Sequence, residues 1–166
     1  EVNCVIQHRV RQLEKEKGLS PDMSKHLLSK LLAAPHRTYL WVYLVFEDFK
    51  SQDFRRTKKG VDAIINTLPE SVNEAYEKIL QKSKKNERSM VRKALGIILA
   101  ARRPLSLAEM NIALNVNMDS KTDEDLDLES ERDFGKRLRS WCGLFISMFQ
   151  DKVYFLHQTA REFLLY

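Results

Sequence analysis

Two Ser-x-x-Glu boxes, Ser71 with Glu74 and Ser106 with Glu109, constrain this chain most tightly. In such a box the serine oxygen accepts the third residue's N–H and the glutamate reaches back, so a helix start is fixed locally. After the first box, Val72, Ala75/Tyr76 and Ile79/Leu80 recur on one side; after the second, Leu107, Met110 and Leu114 do. Between them a basic turn, Lys82 to Arg88, leads to a helix with Val91, Ala94/Leu95 and Ile98 inside, which Pro104 ends. Arg132 to Trp141 makes a further helix. Leu144 to Phe149 and Val153 to Leu156 flank Gln150-Asp151-Lys152, a hairpin signal, and His157 opens a last helix through Ala160, Phe163 and Leu164.

From Leu68 onward the order is therefore helix, helix, turn, helix, helix, hairpin, helix. A helix–turn–helix followed by a two-stranded wing is the winged-helix arrangement. Earlier in the chain, Val5/Ile6, Val10 and Leu13 repeat at helical spacing and Gly18 reads as a C-cap. Ser20-Pro21 reads as an N-cap with proline at the first helical position, and Met23, Leu27/Leu28 and Leu31/Leu32 follow before Pro35 stops the helix. The run Tyr39 to Phe46 is ambiguous: its residues favour strands, while its length and all-round apolarity also fit a buried helix. Lys50 to Lys59 reads as a charged loop, and Leu68-Pro69 as a boundary. The expected fold class is mainly α: a helical domain over 1–67, then a winged-helix domain over 68–166 with a small two-stranded β-hairpin.

Glycine restricts the chemistry. The five glycines, Gly18, Gly60, Gly96, Gly135 and Gly143, are never spaced for a phosphate-cradling loop, and no Gly-Lys-Ser/Thr occurs. Without clustered backbone N–H donors the chain has no triphosphate cradle of its own, so it is not expected to be an enzyme or to hold a cofactor alone. The longest apolar run, Tyr39 to Phe46, is far short of the roughly 20 residues of a membrane span. Cys4 and Cys142 form no metal or redox spacing, and apolar neighbours make both read as buried reduced thiols, which points to the cytoplasm. The net charge of +5 is spread over Arg55, Arg56, Lys58, Lys59, Lys82, Lys84, Lys85, Arg102 and Arg103, which reads as solvated surface.

Other constellations fall short. Asp123, Asp125 and Asp127 alternate like a calcium loop, but Leu128 stands where the turn needs glycine and Phe134 where the bidentate glutamate belongs, so the stretch 119–129 reads as a solvated insertion. Cys142, His157 and Asp151 suggest a thiol triad, yet an apolar setting raises a thiol's pKa instead of activating it. His8, His26 and His36 lie on separate elements without metal spacing. Trp41 and Trp141 sit on apolar helix faces and read as core.

Four stretches then carry a resemblance: Arg37-Thr-Tyr-Leu-Trp-Val42; Leu68-Pro-Glu-Ser-Val-Asn-Glu-Ala-Tyr-Glu-Lys-Ile-Leu80; Arg103-Pro-Leu-Ser-Leu-Ala-Glu-Met110; and Cys142-Gly-Leu-Phe145 through Val153-Tyr-Phe-Leu-His-Gln-Thr-Ala-Arg-Glu-Phe-Leu-Leu165. In this order they resemble the region following the NACHT core of fungal STAND NTPases, relatives of NOD-like receptors that include heterokaryon-incompatibility proteins. The resemblance implies an excised fragment, consistent with a start lacking Met, and a helix over the Tyr39 run. Tyr39 and Leu40 fall in the segment that lies against adenine, with Arg37 where the family has glycine. Phe155-Leu-His157 resembles the Met-His-Asp motif, whose histidine reads the β-phosphate of ADP in the closed state; Gln158 stands in the place of its aspartate.

The resemblance thus implies a regulatory fragment that stabilises the closed ADP-bound receptor and moves on activation. ADP or ATP with Mg is expected only with the NACHT core attached. Expected partners are that core and C-terminal repeats (ankyrin or another type), with oligomerisation on activation in a programmed-cell-death response and no membrane. From the residues alone, His157 reads first as a helix cap packed on the hairpin; the resemblance brings the two readings level. One rival is a nucleic-acid-binding winged helix using Arg132, Lys136, Arg137 and Arg139, although Glu131, Asp133 and the acidic stretch oppose it. Another is a plain protein-interaction scaffold.

Overall fold

A computed structural model describes residues 1–35, 37–116 and 126–166. Two compact units emerge, Glu1–Leu80 and Gln81–Tyr166.

The first unit is helical. α1 (Val2–Lys17) buries Ile6, Val10 and Leu13 and ends at Gly18, whose φ of 64° is the left-handed conformation that glycine adopts without a Cβ penalty. α2 (Pro21–Ala33) starts under Ser20, whose side chain accepts from the Met23 N–H. The ambiguous run is α3 (Tyr39–Ser51), capped by the Thr38 hydroxyl on the Trp41 N–H. Six of its residues are buried, from Trp41 to Phe49, and they wrap most of the helix circumference, which is why no apolar stripe was visible. Lys17 Nζ closes its C-terminus by donating to the carbonyls of Lys50 and Gln52.

The expected loop over 50–59 is shorter than its charge suggests. Lys50 and Ser51 finish α3, and Lys58 and Lys59 begin α4 (Lys58–Ile65), for which Thr57 is the N-cap. Their ammonium groups stay outside while Val61 and Ile64 fill the core beneath Leu13, Leu27 and Phe49. α5 (Val72–Lys82) buries Ala75 and Tyr76. Its box is half formed: the Ser71 hydroxyl accepts from the Glu74 N–H, but the Glu74 carboxylate takes the N–H of Glu70. Cys4 corrects the sequence reading. It is exposed, because it lies two residues before buried Ile6, about 200° around the helix.

The second unit begins with α6 (Arg88–Ala100), whose Val91, Ala94, Leu95 and Ile98 are buried. β1 (Leu105–Ser106) leads into α7 (Leu107–Asn115), where the Ser106–Glu109 box is complete. Arg103 clamps the same carboxylate and, with the Ser106 N–H, holds Glu109 down at about 2. α8 (Glu131–Cys142) buries Phe134, Leu138 and Cys142, and α9 (Gln158–Leu165) buries Ala160. β2 (Ile146–Phe149) and β3 (Lys152–Phe155) form the hairpin. The sheet has a third member, since β1 pairs with β3 in the order β1-β3-β2. The two-residue β1 gave too short a pattern to read.

The wing turn is strained. Gln150 and Asp151 have φ of 48° and 58°, the two left-handed residues of a primed hairpin turn, where Asn-Gly is favoured. Replacing them with Asn-Gly is expected to stabilise the second unit by about 0.5–1 kcal/mol, read as a rise of several degrees in its melting midpoint. A lower midpoint would show that these side chains contribute more than their backbone strain costs.

Candidate functional site

His157 stands where β3 gives way to α9. The strand ladder extends past Phe155, with the Leu156 N–H donating to the Phe145 carbonyl at 2.8 Å, so the backbone entering His157 is held. On its other side Ala160 is fully buried and the rings of Phe145 and Phe163 lie 6.2 Å apart, tying α9 to the hairpin. His157 is the N-cap of α9 in extended conformation. Its Nδ1 accepts from the Thr159 N–H at 3.2 Å and lies 2.9 Å from Thr159 Oγ1.

That cap decides the tautomer. A nitrogen accepting an N–H carries no proton, so the neutral ring has its hydrogen on Nε2. His157 is exposed, leaving an Nε2–H donor beside the partial positive charge of a helix N-terminus. The arrangement suits an anionic oxygen. Capping and anion contact therefore use different nitrogens and do not compete. Gln158 turns elsewhere: its amide reaches Glu162 along the outer face of α9, at 3.4 Å.

The other candidates scatter. Tyr39 is the first residue of α3 and is 51% exposed, its hydroxyl donating to Glu1 Oε2; Leu40 is half-buried. Both belong to the first unit and His157 to the second. Arg37, in the glycine position, donates to the Leu32 carbonyl and so closes the end of α2. Cys142 is buried, and desolvation pushes its thiol up to about 12, while His157 bonds Thr159 instead of Cys142 or Asp151. His8 is exposed, His26 bonds Asp62 at 2.7 Å, and His36 lies outside the described residues, as do Asp123 and Asp125. Phe134, at the calcium-loop glutamate position, is core. Among the described residues no group of three or more His, Cys, Asp or Glu could hold a metal, and no helix is long and apolar enough to cross a membrane.

The basic face of α8 is partly neutralised. Lys136 pairs with Asp133 at 3.2 Å, and Arg137 pairs with Glu129 at 3.0 Å while lying over Trp141. Trp141 is consequently half-buried under that guanidinium, not core, whereas Trp41 is fully buried with its Nε1 donating to the Pro69 carbonyl.

Residues 76–166 match the family described as GPI inositol-deacylase, winged helix domain. The chain belongs to this family. Ahead of the winged helix domain, residues 1–68 match a family described only as Domain of unknown function (DUF7069). Vegetative incompatibility protein HET-E-1 of Podospora anserina is 29% identical over 165 residues, covering 99% of this chain and 11% of that protein. The chain thus spans about a ninth of the length of its curated relative. The match to a fungal incompatibility protein agrees with the resemblance drawn from the four sequence stretches. No solved structure matches significantly. The matched module is a winged helix domain, not a catalytic core.

Proposed function

We propose that this chain is the regulatory region of a longer STAND-type NTPase, and that His157 reads the β-phosphate of ADP when the winged helix domain folds back on the nucleotide core. The supporting observation is the His157 cap: with Nδ1 taken by the Thr159 N–H, Nε2–H is left to donate at the start of α9. A contact that exists only in the folded-back state stabilises that state by its own free energy, which is what a switch requires. In this reading residues 1–67 and 68–166 act as helical and winged-helix parts, Tyr39 and Leu40 face the adenine, and the core and C-terminal repeats are intramolecular partners. The receptor is cytoplasmic, oligomerises once ADP leaves, and takes ADP or ATP with Mg only through the core.

His157→Leu in the full-length receptor tests this. It removes the phosphate donor together with a cap worth about 0.5–2 kcal/mol. His157→Asp supplies an oxygen that accepts at the N-cap but has no hydrogen to donate, so it serves as the control that isolates loss of the phosphate contact from loss of the cap. Raised basal signalling is expected for both variants. Unchanged basal signalling in a folded His157→Leu receptor would reduce His157 to a cap and favour a plain scaffold.

A further inference from the structure

A second feature of the winged helix domain is unrelated to His157. A groove of about 380 Å³ opens between α8, the start of α7 and the wing turn. Its long wall is α8, where Arg132, Gly135, Lys136 and Arg139 fall on one face at helical spacing. Gly135 is buried at the base of the groove: a Cβ there would sit 3.3 Å from Leu107 Cδ1 and 3.9 Å from Met148 Sδ, so the missing side chain lets α8 pack closely on both. The opposite rim is the strained pair Gln150 and Asp151, held in place by the Leu107 N–H donating to the Asp151 carbonyl at 2.8 Å. Left-handed residues kept at a rim by surrounding bonds are a recurrent property of binding sites.

Charge defines the occupant. Lys136 is engaged by Asp133. Arg132 and Arg139 have no carboxylate within ion-pair distance among the described residues, and both are exposed. Seven residues apart on α8, they are separated by about 10 Å along the axis, and each presents a planar fork suited to a carboxylate. Between them the floor is apolar, from Leu107 and Met148. A duplex fits poorly: with Lys136 and Arg137 paired to Asp133 and Glu129, α8 offers Arg132 and Arg139 as its unpaired cations among the described residues, too few for the several phosphates that hold a duplex. The volume suits a few side chains.

We propose that this groove docks an acidic protein segment, two of whose carboxylates pair with Arg132 and Arg139 while an apolar side chain between them rests on Leu107 and Met148. The test is a ¹H–¹⁵N titration of the 166-residue chain with a blocked hexapeptide of alternating glutamate and leucine. Controls are the lysine–leucine peptide and a 15-base-pair duplex. Saturable shifts are expected at the Gly135 and Gln150 amides and the Arg132 and Arg139 side chains, none with the lysine peptide, and at least about tenfold weaker binding in Arg132→Glu/Arg139→Glu. Should that double variant lose its dispersed spectrum, Arg132→Gln, on an exposed face, must still weaken binding severalfold. Absence of saturable shifts, shifts elsewhere on the surface, equal binding by the variants or by the lysine peptide, or tighter binding of the duplex to these residues would overturn the proposal.

Discussion

Trp41→Ala is expected to cost the first unit about 3–5 kcal/mol, enough to unfold a marginal helical domain at ordinary temperature. Trp41 is 1% exposed and is the largest of the fully buried side chains of the chain's described part. It belongs to the buried cluster of the first unit, with Ile6, Leu31, Val45 and Phe46 among its members, so truncation leaves a cavity in that core. A second loss adds to the first: the Trp41 Nε1 donor to the Pro69 carbonyl, 2.8 Å long, disappears and leaves that carbonyl short of a partner. Trp41→Phe keeps most of the apolar volume and is expected to lose only about 1–3 kcal/mol. Urea denaturation followed by circular dichroism separates the two, with the second unit's transition as internal reference. Equal midpoints for wild type and the alanine variant would contradict this account of the first core.

The second unit is expected to lose stability steeply above pH 9. Cys142 is buried, and desolvation raises its thiol from 9.0 to about 12. Below pH 9 both folded and unfolded states hold the proton and the term is constant. Between 9 and 12 the unfolded chain gives up its proton while the folded chain keeps it, so unfolding becomes easier with each step in pH. The slope approaches about 1.4 kcal/mol per pH unit and ends as pH passes the folded value. Cys142→Ala should flatten that slope in chemical denaturation of the second unit. Alkylation gives a parallel check: exposed Cys4 should react at once and Cys142 only as the unit opens. A Cys142 that labels as fast as Cys4 in the native protein would rule out the buried thiol.

What the sequence revealed follows from the range of each interaction. Gly18, Ser20-Pro21 and the Ser106–Glu109 box act within one helical turn, so residue identity was enough to read them. The Tyr39 run was not legible as a helix, because its partners, α1 on one side and Pro69 with α5 on another, come from elsewhere in the chain. Thr38, an N-cap before that run, was the local signal available. α4 was hidden for a related reason: Lys58 and Lys59 look like loop, while Thr57 ahead of Val61 and Ile64 marks a short amphipathic helix. β1 is two residues long and exists only through pairing with β3.

The candidate site shows the same division. His157 was reachable from its place after the hairpin and from the family pattern. That its Nδ1 is consumed by Thr159 depends on backbone geometry that only coordinates supply. Arg132 and Arg139 looked like two cations among four on a basic helix. Their distinction from Lys136 and Arg137 arises from ion pairs with Asp133 and Glu129, and the groove beside them is assembled from α7, α8 and the wing together.

The most direct test of the central claim is calorimetric titration of ADP into three proteins: this chain alone, the parent protein with its nucleotide core, and the parent carrying His157→Leu. The account predicts no binding by the chain alone, tight binding by the parent, and ADP affinity lowered roughly 5- to 150-fold in the variant, the usual range of a coupling contact. Binding by the isolated chain, or an ADP affinity indifferent to His157, would contradict it.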